Sequence, residues 1–189
     1  ASPGGPGYFD LFRNRVIFPI LDLRGRVSGF GGRAMPEGDP NPKYLNSRDS
    51  KLFNKSKLVF GLFQAQKHLR ERDEVILVEG YFDVLGLHAG GFPNAVAACG
   101  TALTADHLHL LRKFASKLTV LFDADKAGIA ATERAMELGL EHGVVLRGAT
   151  LPEGKDPDEI LIDQQTGQPI SSGQARMKEI LDGARPIID

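Results

Sequence analysis

The chain has 189 residues, 42% of them hydrophobic, which is enough to bury an apolar core. No run of eighteen apolar residues and no signal-peptide pattern is present, which argues against a membrane-spanning protein, and a single cysteine excludes a disulfide framework or a cysteine-built zinc site. The net charge of −1 divides into +7 over residues 1–70 and −8 over residues 71–189, so we expect two parts with different binding roles.

The first residues predict a flexible start followed by a β-hairpin. Residues 1–7 are rich in glycine and proline, which predicts a linker or an expression-derived tail. Residues 16–23 alternate weakly between apolar and polar side chains, residues 24–25 form a turn signal, and the apolar pattern resumes over residues 27–30. This order predicts two antiparallel strands joined by a tight turn.

A loop and a helix are predicted next. Residues 34–56 are polar and contain prolines, which predicts a long ordered loop with short strands. Leu62, Ala65 and Leu69 recur at the spacing of one helix face.

The rest of the chain alternates short apolar strands with helices. Strands are predicted over 75–78, 95–98, 118–122 and 144–146. Helices are predicted over 82–89, over 105–114 behind a Thr104 cap, and over 128–140. This order predicts a doubly wound α/β fold, in which helices flank a mainly parallel sheet.

Acidic residues follow three of these strands. They are Glu79, Asp83, Asp123, Asp125, Asp156, Asp158 and Glu159. Because the carboxyl ends of parallel strands meet at one edge of a sheet, we expect these side chains to converge there. Glu79 follows four apolar residues without a polar break, so we expect its carboxylate beside the core, where a structural acid would be costly.

Converging carboxylates repel one another unless a cation lies among them. Oxygen ligands without histidine or cysteine favour magnesium or manganese over zinc. The predicted chemistry is phosphoryl or nucleotidyl transfer, or phosphodiester hydrolysis. A structural alternative stays open for part of the set, because Asp156 before Pro157 is also a typical helix start, and Asp158 and Glu159 taken singly fit structural roles.

The basic part of the chain favours nucleic-acid binding. Its cations between residues 13 and 57 are Arg13, Arg15, Arg24, Arg26, Arg33, Lys43, Arg48, Lys51, Lys55 and Lys57. A surface with so few acids attracts phosphates. Tyr44, Phe53 and Phe60 are candidates for stacking on the bases of a single strand, although Phe18, Phe30 and Phe53 fit a core equally well.

Several blocks of the sequence resemble a known family. Those that resemble the Toprim domain are 79–83 (EGYFD), 99–101 (CGT), 122–128 (FDADKAG) and 155–158 (KDPD). Toprim domains occur in type IA and II topoisomerases, bacterial primases, OLD-type nucleases and recombination-mediator proteins. The blocks that resemble the basic subdomain preceding Toprim in bacterial DnaG-type primases are 13–20 (RNRVIFPI), 29–33 (GFGGR), 42–47 (PKYLNS) and 53–55 (FNK), and 100–107 (GTALTADH) fits the same family. Ala124 departs from the family, which commonly has glycine there.

The resemblance implies an RNA polymerase core that makes short RNA primers on single-stranded DNA. It implies Glu79 as general base or acid and Asp123 and Asp125 as a metal-binding catalytic pair. The implied ligands of two or three Mg²⁺ or Mn²⁺ ions, with no zinc in this part of the protein, are Glu79, Asp83, Asp123, Asp125, Asp156 and Asp158. The implied nucleic-acid and nucleotide-binding residues are Arg13, Arg15, Arg33, Lys43, Tyr44, Asn46 and Lys55.

The resemblance also implies a domain organisation. Residues 8–70 would form part of the basic subdomain, residues 71–165 the Toprim domain, and residues 166–189 the start of a C-terminal helical subdomain. The N-terminal zinc-binding module and the C-terminal helicase-binding domain of such primases lie outside these residues.

The partners that the resemblance implies are template DNA, RNA primer and nucleoside triphosphates, with a replicative helicase reached through a domain outside this sequence. It further implies a monomer at the replication fork in the bacterial cytoplasm, without membrane contact. Two alternatives stay open, which are a metal-dependent Toprim nuclease and a non-catalytic fragment that only binds DNA or nucleotides.

Overall fold

The computed structural model describes residues 10–35, 42–98, 100–122, 126–152 and 154–186. The strands in these ranges are β1 Arg15–Leu21, β2 Val27–Ala34, β3 Tyr44–Asn46, β4 Glu74–Val78, β5 Ala95–Ala97, β6 Lys117–Phe122, β7 Leu146–Thr150 and β8 Arg185–Pro186. The helices are α1 Leu62–Arg72, α2 Tyr81–Ala89, α3 Ala105–Leu111, α4 Lys126–Glu141, α5 Pro157–Leu161 and α6 Gly173–Asp182. Within the described ranges, no helix combines the length and the apolar character needed to span a membrane.

The basic part of the chain folds as a small antiparallel sheet in the order β1-β2-β3. The predicted hairpin is confirmed, and Gly25 adopts the left-handed conformation (φ +78°) that the turn requires. The Asp22 carboxylate accepts backbone hydrogen bonds from Arg24 (2.8 Å) and Arg26 (3.0 Å), which fixes the turn. Phe18 and Ile20 lie on the buried face of β1, as expected for alternate positions of a strand.

The acidic part of the chain forms the predicted sheet, in the order β5-β4-β6-β7-β8. Strands β5, β4, β6 and β7 are parallel, and β8 joins antiparallel to β7. On β4, Ile76 and Val78 pack towards α2, α5 and α6, whereas Val75 and Leu77 pack towards α1, α3 and α4. Helices therefore cover both faces of the sheet, and the predicted α/β class is confirmed.

The last parallel strand differs from its prediction. The apolar pattern predicted a strand over 144–146, but β7 runs over Leu146–Thr150. Val144 belongs to the turn that ends α4, where its backbone N–H donates to the Gly139 carbonyl (2.7 Å) and Gly143 has φ +66°. The strand was displaced in the prediction because Arg147 and the glycine after it carry no apolar signal.

The predicted face of α1 and the predicted cap of α3 are both confirmed. The predicted face of α1 is buried at Leu62, Ala65 and Leu69. Thr104 caps α3, because its hydroxyl accepts a hydrogen bond from the backbone N–H of His107 (3.2 Å). The helix ends at Leu111, three residues earlier than predicted.

Residues after 165 pack on the parallel sheet. Met177 and Leu181 of α6 lie in the same core cluster as α2, and β8 pairs with β7. The Arg147 guanidinium also donates a hydrogen bond to the Ala184 carbonyl (3.0 Å). These contacts favour a unit that continues to Pro186, and the domain boundaries at residues 70 and 165 stay predictions.

An aromatic cluster joins the two sheets. The ring of Tyr81, in the first turn of α2, stacks on Phe18 of β1 with ring centroids 4.7 Å apart, and Phe60 meets it edge-on at 4.8 Å. A side chain on Gly31 would collide with the Tyr81 ring, so glycine is required for this approach. The Tyr81 hydroxyl donates a hydrogen bond to Asn46 Oδ1 (2.6 Å), which ties β3 to α2.

This packing corrects the proposed stacking role of two aromatic residues. Phe53 and Phe60 are only 3% and 7% exposed, so they belong to the core and do not reach the bases of a bound strand. Tyr44, with 38% exposure, is still accessible.

Two histidines, one partly buried and one fully buried, have lowered pKa values. Burial lowers the pKa of His88, whose Nε2 lies 2.9 Å from the Ala95 carbonyl oxygen. Burial also lowers the pKa of His107, which is fully buried. Protonation of either ring is thus less favourable in the folded chain than in the unfolded chain.

The contact between the sheets can be measured with a double-mutant cycle. We expect Tyr81→Phe and Asn46→Ala to be coupled by about 1 kcal/mol in the free energy of unfolding, the net contribution of one such hydrogen bond. Urea titration of both single variants and the double variant gives the coupling. Strictly additive effects would contradict a hydrogen bond that links the sheets.

The histidines predict a specific pH dependence. Since the pKa of each is lower in the folded state, the unfolded chain binds more protons, and stability falls as pH decreases below the ordinary value of 6.5. Hydrogen bonds lower the pKa of Asp22, Asp73 and Asp163 from 3.8, which acts in a separate, more acidic range. We expect a lower urea midpoint at pH 5.5 than at pH 7.5, and a smaller difference in His88→Gln. An equal midpoint at both pH values is the contrary result.

Candidate active-site cleft

A cleft of about 520 Å³ lies where the carboxyl edge of the parallel sheet meets the small sheet. Its lining among the described residues includes Arg33, Lys43, Tyr44, Asn46, Glu79, Gly80, Tyr81, Phe82, Asp83, Gly100, Asp156, Asp158, Glu159 and Gln164. The cations come from the small sheet and the segment just before β3. The acids come from α2, α5 and the residues that precede these helices. The cleft therefore has one basic wall and one acidic wall.

Glu79 lines the cleft with an exposed side chain, whereas a carboxylate enclosed beside the core had been expected. Val78 is the last buried residue of β4, and the Glu79 side chain is exposed. The cost of burying a charge therefore does not apply to Glu79, since water reaches its side chain. Glu79 also lines an adjoining pocket of about 200 Å³, whose wall includes Leu77 and Phe122. Glu79 therefore lines both a polar cleft and a more apolar pocket.

Asp83 and Asp158 are placed by two helices in contact. The backbone N–H of Gly80 donates to Asp83 Oδ2 (2.8 Å), which caps α2 and fixes the Asp83 carboxylate. A Cβ on Gly86 of α2 would lie 2.7 Å from Asp158 Cβ, so the glycine permits α5 to approach α2. Asp158 Oδ2 accepts a hydrogen bond from the side-chain amide of Gln164 (3.3 Å).

The start of α5 fits the structural alternative in part. Asp156 occupies the N-cap position and Pro157 the first helical position, but the Asp156 side chain makes no hydrogen bond that caps the helix. Asp156 is also exposed and lines the cleft, so its position is compatible with a role at the helix start and with a role as a metal ligand. Glu159 lies in the cleft as well, where Lys155 Nζ is 3.7 Å from its carboxylate.

The predicted catalytic pair falls outside the described residues. Asp123 and Asp125 follow the last residue of β6, and β6 pairs in parallel with β4, which leads into Glu79. Among residues that the structure does describe, no group of three His, Cys, Asp or Glu side chains is close enough to hold a metal ion. The described lining of the cleft offers carboxylates and the Gln164 amide, and neither histidine nor cysteine, a donor set that fits magnesium or manganese.

The two cations of the basic wall lie close to aromatic rings. The Arg33 guanidinium lies 4.7 Å from the centroid of the Phe82 ring, and Lys43 Nζ lies 5.8 Å from that of Tyr44. Asn46 is fixed by the Tyr81 hydroxyl, as described above. The sequence did not single out Phe82 or Gln164 as cleft residues. Phe82 carried a signal, because it lies inside the 79–83 block.

Three predicted binding residues lie elsewhere. Arg13 is exposed, and Arg15 donates a hydrogen bond to the Gly32 carbonyl (3.2 Å) beside a separate groove. Lys55 is exposed in the loop after β3. None of the three belongs to the described lining of the cleft, and their part in binding stays a prediction.

Comparison with known proteins gives the family. Residues 76–161 match a Toprim-like family model, and residues 2–66 match the N-terminal domain of the DNA primase catalytic core. The DNA primase of Myxococcus xanthus is 45% identical over 184 residues, which cover 97% of this chain and 29% of that protein. The chain thus spans less than a third of the length of this curated relative.

Solved structures agree with the sequence matches. The zinc-binding and RNA polymerase domains of the Aquifex aeolicus primase superpose with a TM-score of 0.85 at 43% identity, covering 98% of this chain and 44% of that one. A DnaG primase catalytic domain bound to single-stranded DNA gives a TM-score of 0.78 at 39% identity, and the match covers 94% of this chain and 55% of that one. The chain therefore belongs to the bacterial DnaG-type DNA primases and corresponds to part of their catalytic core.

Proposed function

We propose that this chain forms the nucleotide-joining part of a primase, which synthesises short RNA primers on a single-stranded DNA template. The observation that carries the proposal is a single cleft with Arg33 and Lys43 on one wall and Glu79, Asp83 and Asp158 on the other. Cations bind the phosphates of template and nucleotide, while carboxylates hold the divalent ions that such a reaction uses. The relative solved with single-stranded DNA supports a DNA template.

The proposed reaction is an in-line displacement at phosphorus. The 3′-hydroxyl oxygen of the primer forms a bond to the α-phosphorus of a ribonucleoside triphosphate. The bond from that phosphorus to the oxygen bridging to the β-phosphate breaks, and pyrophosphate leaves. The hydroxyl proton passes to Glu79, which acts as general base and returns the proton to water. The exposure of Glu79 allows this exchange.

Divalent ions complete the proposed site. Toprim primases are in general metal-dependent. The residues we propose as ligands of two or three Mg²⁺ or Mn²⁺ ions are Glu79, Asp83, Asp123, Asp125, Asp156 and Asp158. When bound, these ions would neutralise charge on the attacking, leaving and phosphate oxygens. The protein's own contribution is to bring acids from two helix starts, α2 and α5, to one cleft.

The basic wall positions the phosphates. Arg33 rests on the Phe82 ring, so its guanidinium is oriented before any ligand arrives. Lys43 and Asn46 lie beside it in the cleft, and Tyr44 is exposed enough to stack on a base. We propose that Arg13, Arg15 and Lys55 contact the template farther from the reacting groups.

The alternatives receive no separate support. A Toprim nuclease would use the same acids to direct water at a phosphodiester, but the relatives compared above are DNA primases. As part of a bacterial primase, the chain would act in the cytoplasm at replication forks. Contact with a replicative helicase stays a prediction.

Glu79→Gln tests the proposed proton transfer. We expect primer synthesis to fall by about a hundredfold or more, the usual contribution of a general base, while single-stranded DNA binding stays nearly unchanged. Incorporation of labelled ribonucleotides on a template with magnesium gives the rate, and fluorescence anisotropy gives the affinity. Glu71→Gln, on the exposed side of α1, is the matched control. Unchanged synthesis by Glu79→Gln, or shortening of the DNA by the unaltered chain, contradicts the proposal.

Arg33→Ala and Lys43→Ala test the basic wall. Each removes one cation from the cleft, so we expect weaker binding of single-stranded DNA and a log K against log salt slope shallower by about one unit per lost phosphate contact. Anisotropy titrations over a range of salt concentrations measure both quantities. Lys67→Ala on α1 is the control and should leave the slope unaltered. If all three variants behave alike, the cleft is not where the DNA backbone binds.

A further inference from the structure

The segment of residues 47–58 links β3 of the cleft to the rest of the fold and contains neither helix nor strand. It carries the exposed cations Arg48, Lys51, Lys55 and Lys57. The buried ring of Phe53 anchors its middle, and the backbone N–H of Lys55 donates to Asp49 Oδ1 (3.2 Å). Without a sheet ladder, the position of this segment depends on such individual contacts.

The first turn of α3 holds the end of this segment. The Thr104 hydroxyl donates a hydrogen bond to the Ser56 carbonyl (2.7 Å), and His107 Nε2 lies 3.0 Å from the Lys55 carbonyl oxygen. These are the carbonyls of consecutive residues in one turn. A helix of the parallel-sheet part therefore fixes the backbone that carries a cation of the basic part.

The geometry determines which nitrogen of His107 bears the proton. The backbone N–H of Thr104 points to Nδ1 (3.3 Å), so Nδ1 is the acceptor and the neutral ring carries its hydrogen on Nε2. Nε2 then donates to the Lys55 carbonyl. Nδ1 thus completes the cap of α3, and Nε2 contacts the backbone of the 47–58 segment. The ring is fully buried, and burial lowers its pKa, which keeps it neutral.

We infer that His107 is a positioning residue for nucleic-acid binding, which holds the turn at Lys55 so that this lysine is presented to a phosphate of the template. The inference rests on the proposed function, because it assumes that the basic part binds a DNA strand. Lys57 lies in the same turn, but its Nζ is 3.8 Å from Asp106 Oδ2 of α3, so this lysine already has an acidic partner. Lys55 is therefore the cation of this turn that we assign to the template.

Two substitutions distinguish the hydrogen bond made by Nδ1 of His107 from the one made by Nε2. His107→Asn places an amide oxygen near the position of Nδ1, which keeps the bond from Thr104 but cannot reach the Lys55 carbonyl. His107→Gln extends an amide N–H towards the position of Nε2 and keeps the bond to Lys55. Both replace a buried ring with a smaller amide, so a merely structural role predicts similar effects. His109→Asn, at an exposed position of the same helix, is the matched control.

The readout is the affinity for a labelled single-stranded DNA, without nucleotide or metal, at a temperature where circular dichroism finds every variant folded. We expect His107→Asn to weaken binding by about two- to tenfold, the range that one net hydrogen bond produces, and His107→Gln to restore most of the affinity. We also expect Lys55→Ala to weaken binding, and the double variant Lys55→Ala with His107→Asn to bind no more weakly than Lys55→Ala.

Contrary outcomes are distinguishable. Equal affinities for His107→Asn and His107→Gln, or full additivity in the double variant, overturn the positioning role and leave the proposed function intact. Failure of the unaltered chain to bind single-stranded DNA contradicts the proposed function itself.

Discussion

The packing of the Tyr81 ring against Phe18 and Phe60 is the contact on which the cleft depends. The two parts that it joins carry charges of +7 and −8, but physiological salt largely screens the attraction between exposed charges that are more than about 8 Å apart. Apolar packing is not weakened by salt screening in this way. Each buried phenylalanine such as Phe18 contributes about 1.5–3 kcal/mol to stability. The aromatic cluster thus sets the width of the cleft, and the charges on its walls can be used for ligands.

Charged groups in the cleft are oriented mainly by neutral neighbours. Arg33 lies on a phenyl ring, Asp83 accepts from a backbone N–H, and Asp158 accepts from a glutamine amide. Such contacts hold a charged side chain in place without cancelling its charge. The same principle applies at the 47–58 segment, where a neutral histidine and a threonine hold backbone carbonyls near Lys55.

Most of the fold could be predicted because its signals are local. Apolar runs gave the parallel strands, and the spacing of Leu62 and Leu69 gave the buried face of α1. The displaced β7 and the exposure of Glu79 were missed because the first depends on a helix C-terminal turn and the second on which face of the strand end meets water.

The site could be predicted only in part, for a related reason. The acids that follow the strands and the resemblance to a known family pointed to residues of both walls, yet the hydrogen bond from Tyr81 to Asn46 spans 35 positions and leaves no periodic pattern in the sequence. Whether an aromatic residue such as Phe53 packs inside or stacks on a ligand also depends on distant partners. At one edge of the parallel sheet, the outer strand β5 has only three residues, Ala95–Ala97. An edge this short offers little template for strand addition, which protects that side of the sheet against self-association into aggregates.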